Sequence, residues 1–332
     1  MRAGLWQLPP ELQADEAETR HKGVRMVELS DTSYFWVRGF GYQPSYAATG
    51  IEIWCQFDER RVALELGRAK EHFPGTTAIR LWLSFDAYMQ DRERFVGNVG
   101  KALDIVGRLG LRAMPCLFNN WHSIPDFGGI SSEMVSYWDS PKREVNHFQC
   151  YVDDILARHV DDERVFAWDL CNEPFNSGRD EVFLPWLRNL HGRAKKSGAR
   201  APITIGVPPV LDHLKMVEPW CDILTPHLYG ASAANDAFVE FANRVRKPML
   251  AGETGWGSLA DETRLQTLHG ELSSLVDRKV GFLIHVLNHS LVADCHRREF
   301  GPVSEVGFMG CIEADGSLRE GYESIRKGVS IY

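Results

Sequence analysis

Long apolar runs are missing from this chain. Nowhere do about 18 apolar residues follow one another, which excludes a helical membrane span. Basic charge is in deficit: 37 Lys and Arg face 45 Asp and Glu, a net charge of −8. Nucleic acid and anionic membrane both demand a basic surface, so neither is expected as the main partner. Cysteine is sparse at seven, an odd number without repeated spacing, which fits reduced thiols rather than a disulfide framework. Cys116, Cys171 and Cys221 sit inside apolar runs and read as small core residues. The segment MRAGLWQLPPELQADEAETR has no apolar core of the kind a secretory signal carries, so a cytoplasmic location is expected. No G-x-G-x-x-G follows the first apolar run and no G-x-x-x-x-G-K-[ST] occurs, which removes the usual phosphate cradles of nucleotide-binding sheets.

What is present is alternation. Eight short apolar runs read as strands: YFWVRGF (34–40), TAIRLWLSF (77–85), LRAMPCLF (111–118), VFAWDLCN (165–172), PITIGV (202–207), CDILTPHLY (221–229), PMLAGET (248–254) and VGFLIHVLN (280–288). They are near-continuous in apolar residues, as strands buried on both faces are. Helical patterns separate them at 58–73, 92–110, 143–160, 181–197, 238–247 and 262–279, and another closes the chain at 318–328. Pro185 falls in the first turn of the fourth of these or kinks it. Strand and helix in strict alternation imply parallel strands joined by helical crossovers. The length suits a single (β/α)8 barrel over 1–332, with 1–30 as a lead-in along the surface. The loops 41–57, 119–141 and 288–309 follow strands one, three and eight, and are long. In such a barrel they belong to the face that carries chemistry.

On that reading the strand ends converge. They bring Arg80 from strand two, and Asn120, Trp121 and His122 from strand three. Strand four supplies Asn172 and Glu173, strand six His227 and Tyr229, strand seven Glu253 and Trp256, and strand eight His285 and Asn288. Two glutamates facing each other across one mouth are what glycosidic cleavage needs: one protonates the leaving oxygen, the other attacks the anomeric carbon or activates water. Their pKa values must be pushed apart. Arg80 and the Tyr229 hydroxyl are suited to keep Glu253 ionised, and an ionised Glu253 favours the protonated form of Glu173. Trp54, Trp82, Trp121, Trp138 and Trp256 fall at or near the mouth loops, where an indole is either core or a platform for a sugar. His285, His289, Cys295 and His296 are zinc-ligand types, but their spacing matches no closed zinc pattern, so no metal or other cofactor is expected.

The segment WDLCNEP resembles the strand-four signature of clan A retaining glycoside hydrolases, and PMLAGETGWG resembles their strand-seven segment. IRLWLS, PHLY and GCIEADGSLREGY resemble the strand-two arginine, the strand-six His-x-Tyr and the final strand–helix approach of glycoside hydrolase family 5. The resemblance spans roughly 34–326. It implies double displacement with retention and no metal, with Glu173 as acid/base, Glu253 as nucleophile, and Arg80, Asn172, His227 and Tyr229 in support. Two departures stand out. Asn119-Asn120-Trp121-His122 replaces the family's usual strand-three histidine, and His285 stands where strand eight usually ends in a tryptophan platform. The expected substrate is a small carbohydrate, a short β-linked glycoside attacked from its end. A transglycosidase, or a catalytically silent sugar-binding barrel, is the alternative.

Overall fold

The computed structural model describes residues 33–121, 129–230 and 234–329. His122 and the expected lead-in at 1–30 lie outside the described residues.

Eight parallel strands run β1 (Arg38–Tyr42), β2 (Ala78–Trp82), β3 (Arg112–Asn119), β4 (Trp168–Asn172), β5 (Ile203–Val207), β6 (Thr225–Pro226), β7 (Leu250–Thr254) and β8 (Gly281–Ile284). Each lies beside its sequence neighbour, and β1 pairs with β8 through Arg38↔Phe282 and Phe40↔Ile284. Ladder pairing of β6 is only two residues long, because Pro226 cannot donate to a ladder. The sheet closes nevertheless through single bridges, Leu224↔Met249 and His227↔Glu253. The result is the expected (β/α)8 barrel.

Helices cover the outside. α1 (Gly50–Cys55) and α2 (Glu59–His72) follow β1; α3 (Phe85–Gln90) and α4 (Arg92–Arg108) follow β2; α5 (Ser132–Trp138) and α6 (His147–Arg158) follow β3. α7 (Asp180–Lys196), α8 (Leu211–Val217), α9 (Ala234–Val245) and α10 (Asp261–Asp277) complete the ring, and the short α11 (Arg326–Val329) ends it. The starts are chemically marked: Thr49, Asp58, Ser84, Asp91, Ser131 and Asn146 each cap a first turn with a side-chain oxygen. The long loops after β1 and β3 thus hold short helices that apolar periodicity did not reveal. Pro185 lies inside α7 rather than at its start. The closing helix expected at 318–328 is instead a 3-10 turn, Tyr322–Ile325, leading into α11. Arg319 is drawn inward to the carbonyls of Phe308 and Gly310, and Gly321 sits at φ +80°, so no helix can run through that stretch.

Two apolar cores result. The larger joins strands to helices, through Phe40, Leu103, Phe118, Tyr151 and Trp186. The smaller plugs the N-terminal end of the barrel with Val37, Ala78, Met114, Ala167, Ile223, Leu250 and Leu283. Among the described residues no helix is long and apolar enough to cross a membrane.

Candidate active site

Side chains two residues apart on a strand face the same way. Above the apolar plug, the next inward positions are therefore polar: Ala78 is followed by Arg80, and Ala167 by Asp169. Arg80 is fully buried and binds three side chains on β4 and β7. Its Nη2 donates to Asp169 Oδ2 at 2.6 Å and to Asn172 Oδ1 at 2.7 Å, while Nη1 donates to Glu253 Oε1. Asn172 passes the network on, its amide donating to Asn119 Oδ1 at 2.8 Å. Glycine makes the room. A Cβ on Gly206 would stand 2.8 Å from His227 Nε2 and 3.1 Å from both Arg80 Nη2 and Asp169 Oδ2.

Glu173 follows β4 at φ +48°, a left-handed conformation that costs an L-residue with a full side chain about 1–2 kcal/mol. Such strain persists where surrounding structure over-determines it. Here the Glu173 amide donates to Gly206 O at 2.8 Å and both carboxyl oxygens are engaged. His227 Nδ1 lies 2.5 Å from Oε1, and Asn176 donates to Oε2 at 2.5 Å. The other ring nitrogen, Nε2 of His227, is buried without a partner. A bare lone pair there costs less than an orphaned N–H, which assigns the proton to Nδ1. The same Nδ1 is 3.5 Å from Glu253 Oε2.

Glu253 closes β7. Burial pushes its carboxyl pKa up, but the charges of His227, His285 and Arg80 and the hydroxyl of Tyr229 overturn that and hold it well below the carboxylate range. Burial pushes the pKa of His285 down although Glu253 favours its charged form, and Arg80 is the constant cation beside Glu253. Burial alone would lower the Arg80 pKa; Asp169, Cys116 and Glu253 reverse the sign and keep it charged. Tyr229 Oη donates to Glu253 Oε2 at 2.5 Å, and burial with the nearby carboxylates raises its own pKa well above 10.

Over this floor lies a cleft of about 750 Å³, walled in part by Trp82, Trp121, Pro208, Trp256 and Met309. Trp256 is 49% exposed and meets Tyr229 edge-on at 5.1 Å. Trp82 meets His285 edge-on at 5.6 Å. His285 thus occupies the end of β8, inside the cleft, with a smaller ring than the tryptophan the resemblance leads one to expect.

Of the residues singled out from sequence, Arg80, Asn172, Glu173, His227, Tyr229, Glu253, Trp256, His285 and Trp121 come together at this mouth. Asn120 is buried beside it, tying Ile130 O and the Ser177 amide. Asn288 is not among the residues lining the cleft; its amide donates to Gln43 O and His289 O, joining the β1 and β8 loops. Trp54 is buried, stacks on Phe57 and donates to Trp82 O, and Trp138 is half-buried against the core, packing on His147 and Phe85. Sequence reasoning missed Asp169, Asn176 and Glu271. Asp169 had a signal, an acid inside an apolar strand three residues before Asn172. Glu271 had none.

Among the described residues one trio of donors, Glu173, His227 and Glu253, lies close enough to hold an ion, its ligand atoms all within 4.8 Å of one another. The donor set fits a cation poorly. The oxygens of Glu253 already accept from Arg80 and Tyr229, and a metal would stand against the guanidinium charge. His285, His289, Cys295 and His296 form no such group among the described residues.

No protein-family model matches the chain. A protein of Aspergillus terreus described as "Probable mannan endo-1,4-beta-mannosidase A-2" is 27% identical over 107 residues, 30% of this chain and 26% of its own length. Mannan endo-1,4-β-mannosidase F of Aspergillus clavatus is 26% identical over 104 residues, 29% of this chain and 23% of its own length. The chain thus spans about a quarter of the length of these curated relatives. A GH5_18 protein from Streptomyces cattleya, solved with GlcNAc, shares the fold with a TM-score of 0.71 at 15% identity, over 88% of this chain and 79% of its own. An exo-β-1,4-mannosidase from an Opitutaceae bacterium superposes with a TM-score of 0.67 at 17% identity, over 88% of this chain and 58% of its own. A Thermotoga petrophila endo-1,4-β-D-mannanase does so with 0.62 at 15%, over 89% and 99%. In barrel and in the segments shared with these relatives, the chain resembles the clan A retaining glycoside hydrolases of family 5.

Proposed function

We propose that the chain, acting as one catalytic domain, is a retaining β-glycosidase. Glu253 is the nucleophile, Glu173 the acid/base. The observation that carries this reading is the separation of the two carboxylates, whose oxygens approach within 4.8 Å. Retaining enzymes hold their carboxyl groups about 5–5.5 Å apart, whereas inverting ones leave about 6.5–9.5 Å for a water. Charge asymmetry points the same way. Glu253 sits against a permanent cation and stays ionised, as a nucleophile must. Glu173 has no guanidinium on it, faces an ionised neighbour, and is held in place by His227 and Asn176.

The relatives and fold neighbours named as mannosidases and mannanases make short β-mannosides the first substrate class to try. End-on attack is part of the proposal, supported by the β8 loop, whose Ser304, Glu305 and Val306 wall one side of the cleft. A cytoplasmic enzyme, which we also propose, meets imported oligosaccharides rather than insoluble polymer. A panel of nitrophenyl glycosides of both anomers tests the reading, followed by NMR of the first-formed product. Hydrolysis of a β-anomer with retained configuration is expected; an inverted product sinks the assignment. Internal fragments released from soluble mannan sink the end-on claim alone.

A further inference from the structure

Helix α10 turns two buried charges toward the barrel mouth, Arg264 and Glu271, at 0% and 1% exposure. Seven residues apart, they lie two turns along one helix face. A buried carboxylate is costly unless its lone pairs are filled. Those of Glu271 are filled by the backbone of two loops. Oε1 accepts from the Gly230 amide at 2.6 Å. Oε2 accepts from the Gly255 amide, from the Trp256 amide at 3.2 Å and from Thr254 Oγ1 at 3.1 Å. Gly230 and Gly255 stand at φ +96° and +94°, conformations a side chain would resist. Gly230 directly follows Tyr229, and Thr254 directly follows Glu253. Arg264 completes the grip, its Nη2 donating to His285 O at 3.2 Å and Met309 O at 3.1 Å.

We propose that Glu271 is a positioning residue whose carboxylate clamps the loops after β6 and β7 together, so that the Tyr229 hydroxyl stays on Glu253. The inference rests on the reading of Glu253 as nucleophile. The groups that face Glu253 are Arg80 from β2, Glu173 from β4, His227 and Tyr229 from β6 and His285 from β8; Glu271 is faced by Arg264. Since the Tyr229 bond is among the causes that lower the Glu253 pKa, loosening it raises that pKa.

Glu271→Gln keeps the volume and sets an NH2 against amide donors, so at least one clamp bond is lost. On an aryl β-glycoside, kcat is expected to fall about tenfold, the equivalent of one charge-assisted hydrogen bond, with KM changing less. The acid limb of the pH profile of kcat/KM moves to higher pH. The folded fraction is measured by circular dichroism at each pH and the rates are scaled to it, so the limb separates clamping from mere stability. Hydrogen exchange, read without substrate, is expected to quicken in segments 228–230 and 254–257 and not in β2. Asn235→Ala, which removes the Asn235 amide from Gly230 O at 3.1 Å, moves both readouts the same way by less. An unmoved limb and unchanged exchange in both variants overturn the clamp. A wild-type protein that cleaves no β-glycoside overturns the proposed function instead, and exchange in the two loops then decides the clamp alone.

Discussion

The two ends of the barrel interior are built from the same strands and obey opposite rules. At the N-terminal end Val37, Ala78, Ala167, Leu250 and Leu283 form a dry plug. Two or three residues further along those strands stand Arg80, Asp169, Glu253 and His285, buried as deeply and almost all charged or ionisable. The plug gains free energy from every methyl it removes from water, about 25 cal/mol per Å². The upper layer gives free energy up, because a desolvated ion pair recovers its hydration cost only through well-placed partners. A strand of five residues can therefore anchor the fold at one end and hold a strained chemical group at the other. Stability and reactivity are separated by about 7 Å of chain.

That separation can be broken from either side. Glu253→Gln keeps the shape of the upper layer and removes the carboxylate we propose as nucleophile. Turnover is expected to drop by at least about 10⁴-fold, with the urea midpoint little moved. Leu283→Ala, in the fully buried plug, is expected to do the reverse. It costs about 2–5 kcal/mol of stability and leaves kcat/KM of the folded protein near that of wild type. Steady-state kinetics and urea unfolding of both variants give the four numbers needed. Equal loss of activity in the plug variant would show that the two layers are mechanically one.

Arg80→Ala tests the upper layer on the plug's own terms, stability. The change strands two buried carboxylates, Asp169 and Glu253, at an expected cost of about 3–5 kcal/mol at neutral pH. The pH dependence follows from the depressed Glu253 pKa. In the wild type that group contributes stability above the unfolded carboxylate pKa, and the contribution fades as pH falls toward its folded pKa of about 2. Without Arg80 the folded pKa rises, so the deficit against wild type is largest near neutrality and narrows on acidification through the carboxylate range. Urea unfolding of the two proteins at pH 7 and pH 4.5 reads this directly. A deficit that grows on acidification contradicts the assigned role.

The parts of this design that were legible in sequence are those fixed by local pattern. Eight apolar runs gave the barrel, and carboxylates at the ends of two of them gave the candidate site, because a strand end is set by where apolar residues stop. Asp169 was harder to see, since one acid inside a strand has an inward or an outward reading until register is known. Glu271 could not be seen. It lies on a helix whose polar and apolar faces look ordinary, and its partners are backbone amides, which every residue but proline carries. The short helices after β1, β2 and β3 escaped for a related reason: they are begun by caps, not by amphipathic periodicity. Asn288 was over-read, because a residue just past a strand can turn along the barrel rim, as it does toward Gln43, rather than into the mouth.

The smallest expected effect lies at the rim, where neither rule of the interior holds. Trp256 is half-exposed and makes a T-shaped contact with Tyr229, so it contributes little to folding and no proton to chemistry. About half of its surface stays open at the cleft, where an apolar sugar face could pack on it. Trp256→Ala is therefore expected to raise KM about three- to tenfold, with kcat and the urea midpoint close to wild type. Trp82 supplies the contrast: it is 5% exposed, packs on His285 and Arg80, and sits within the upper layer. Trp82→Ala is expected to lower kcat and stability together. If both tryptophan variants change KM alone, the charged layer ends at Arg80 and the cleft wall begins lower than the packing of Trp82 on His285 implies.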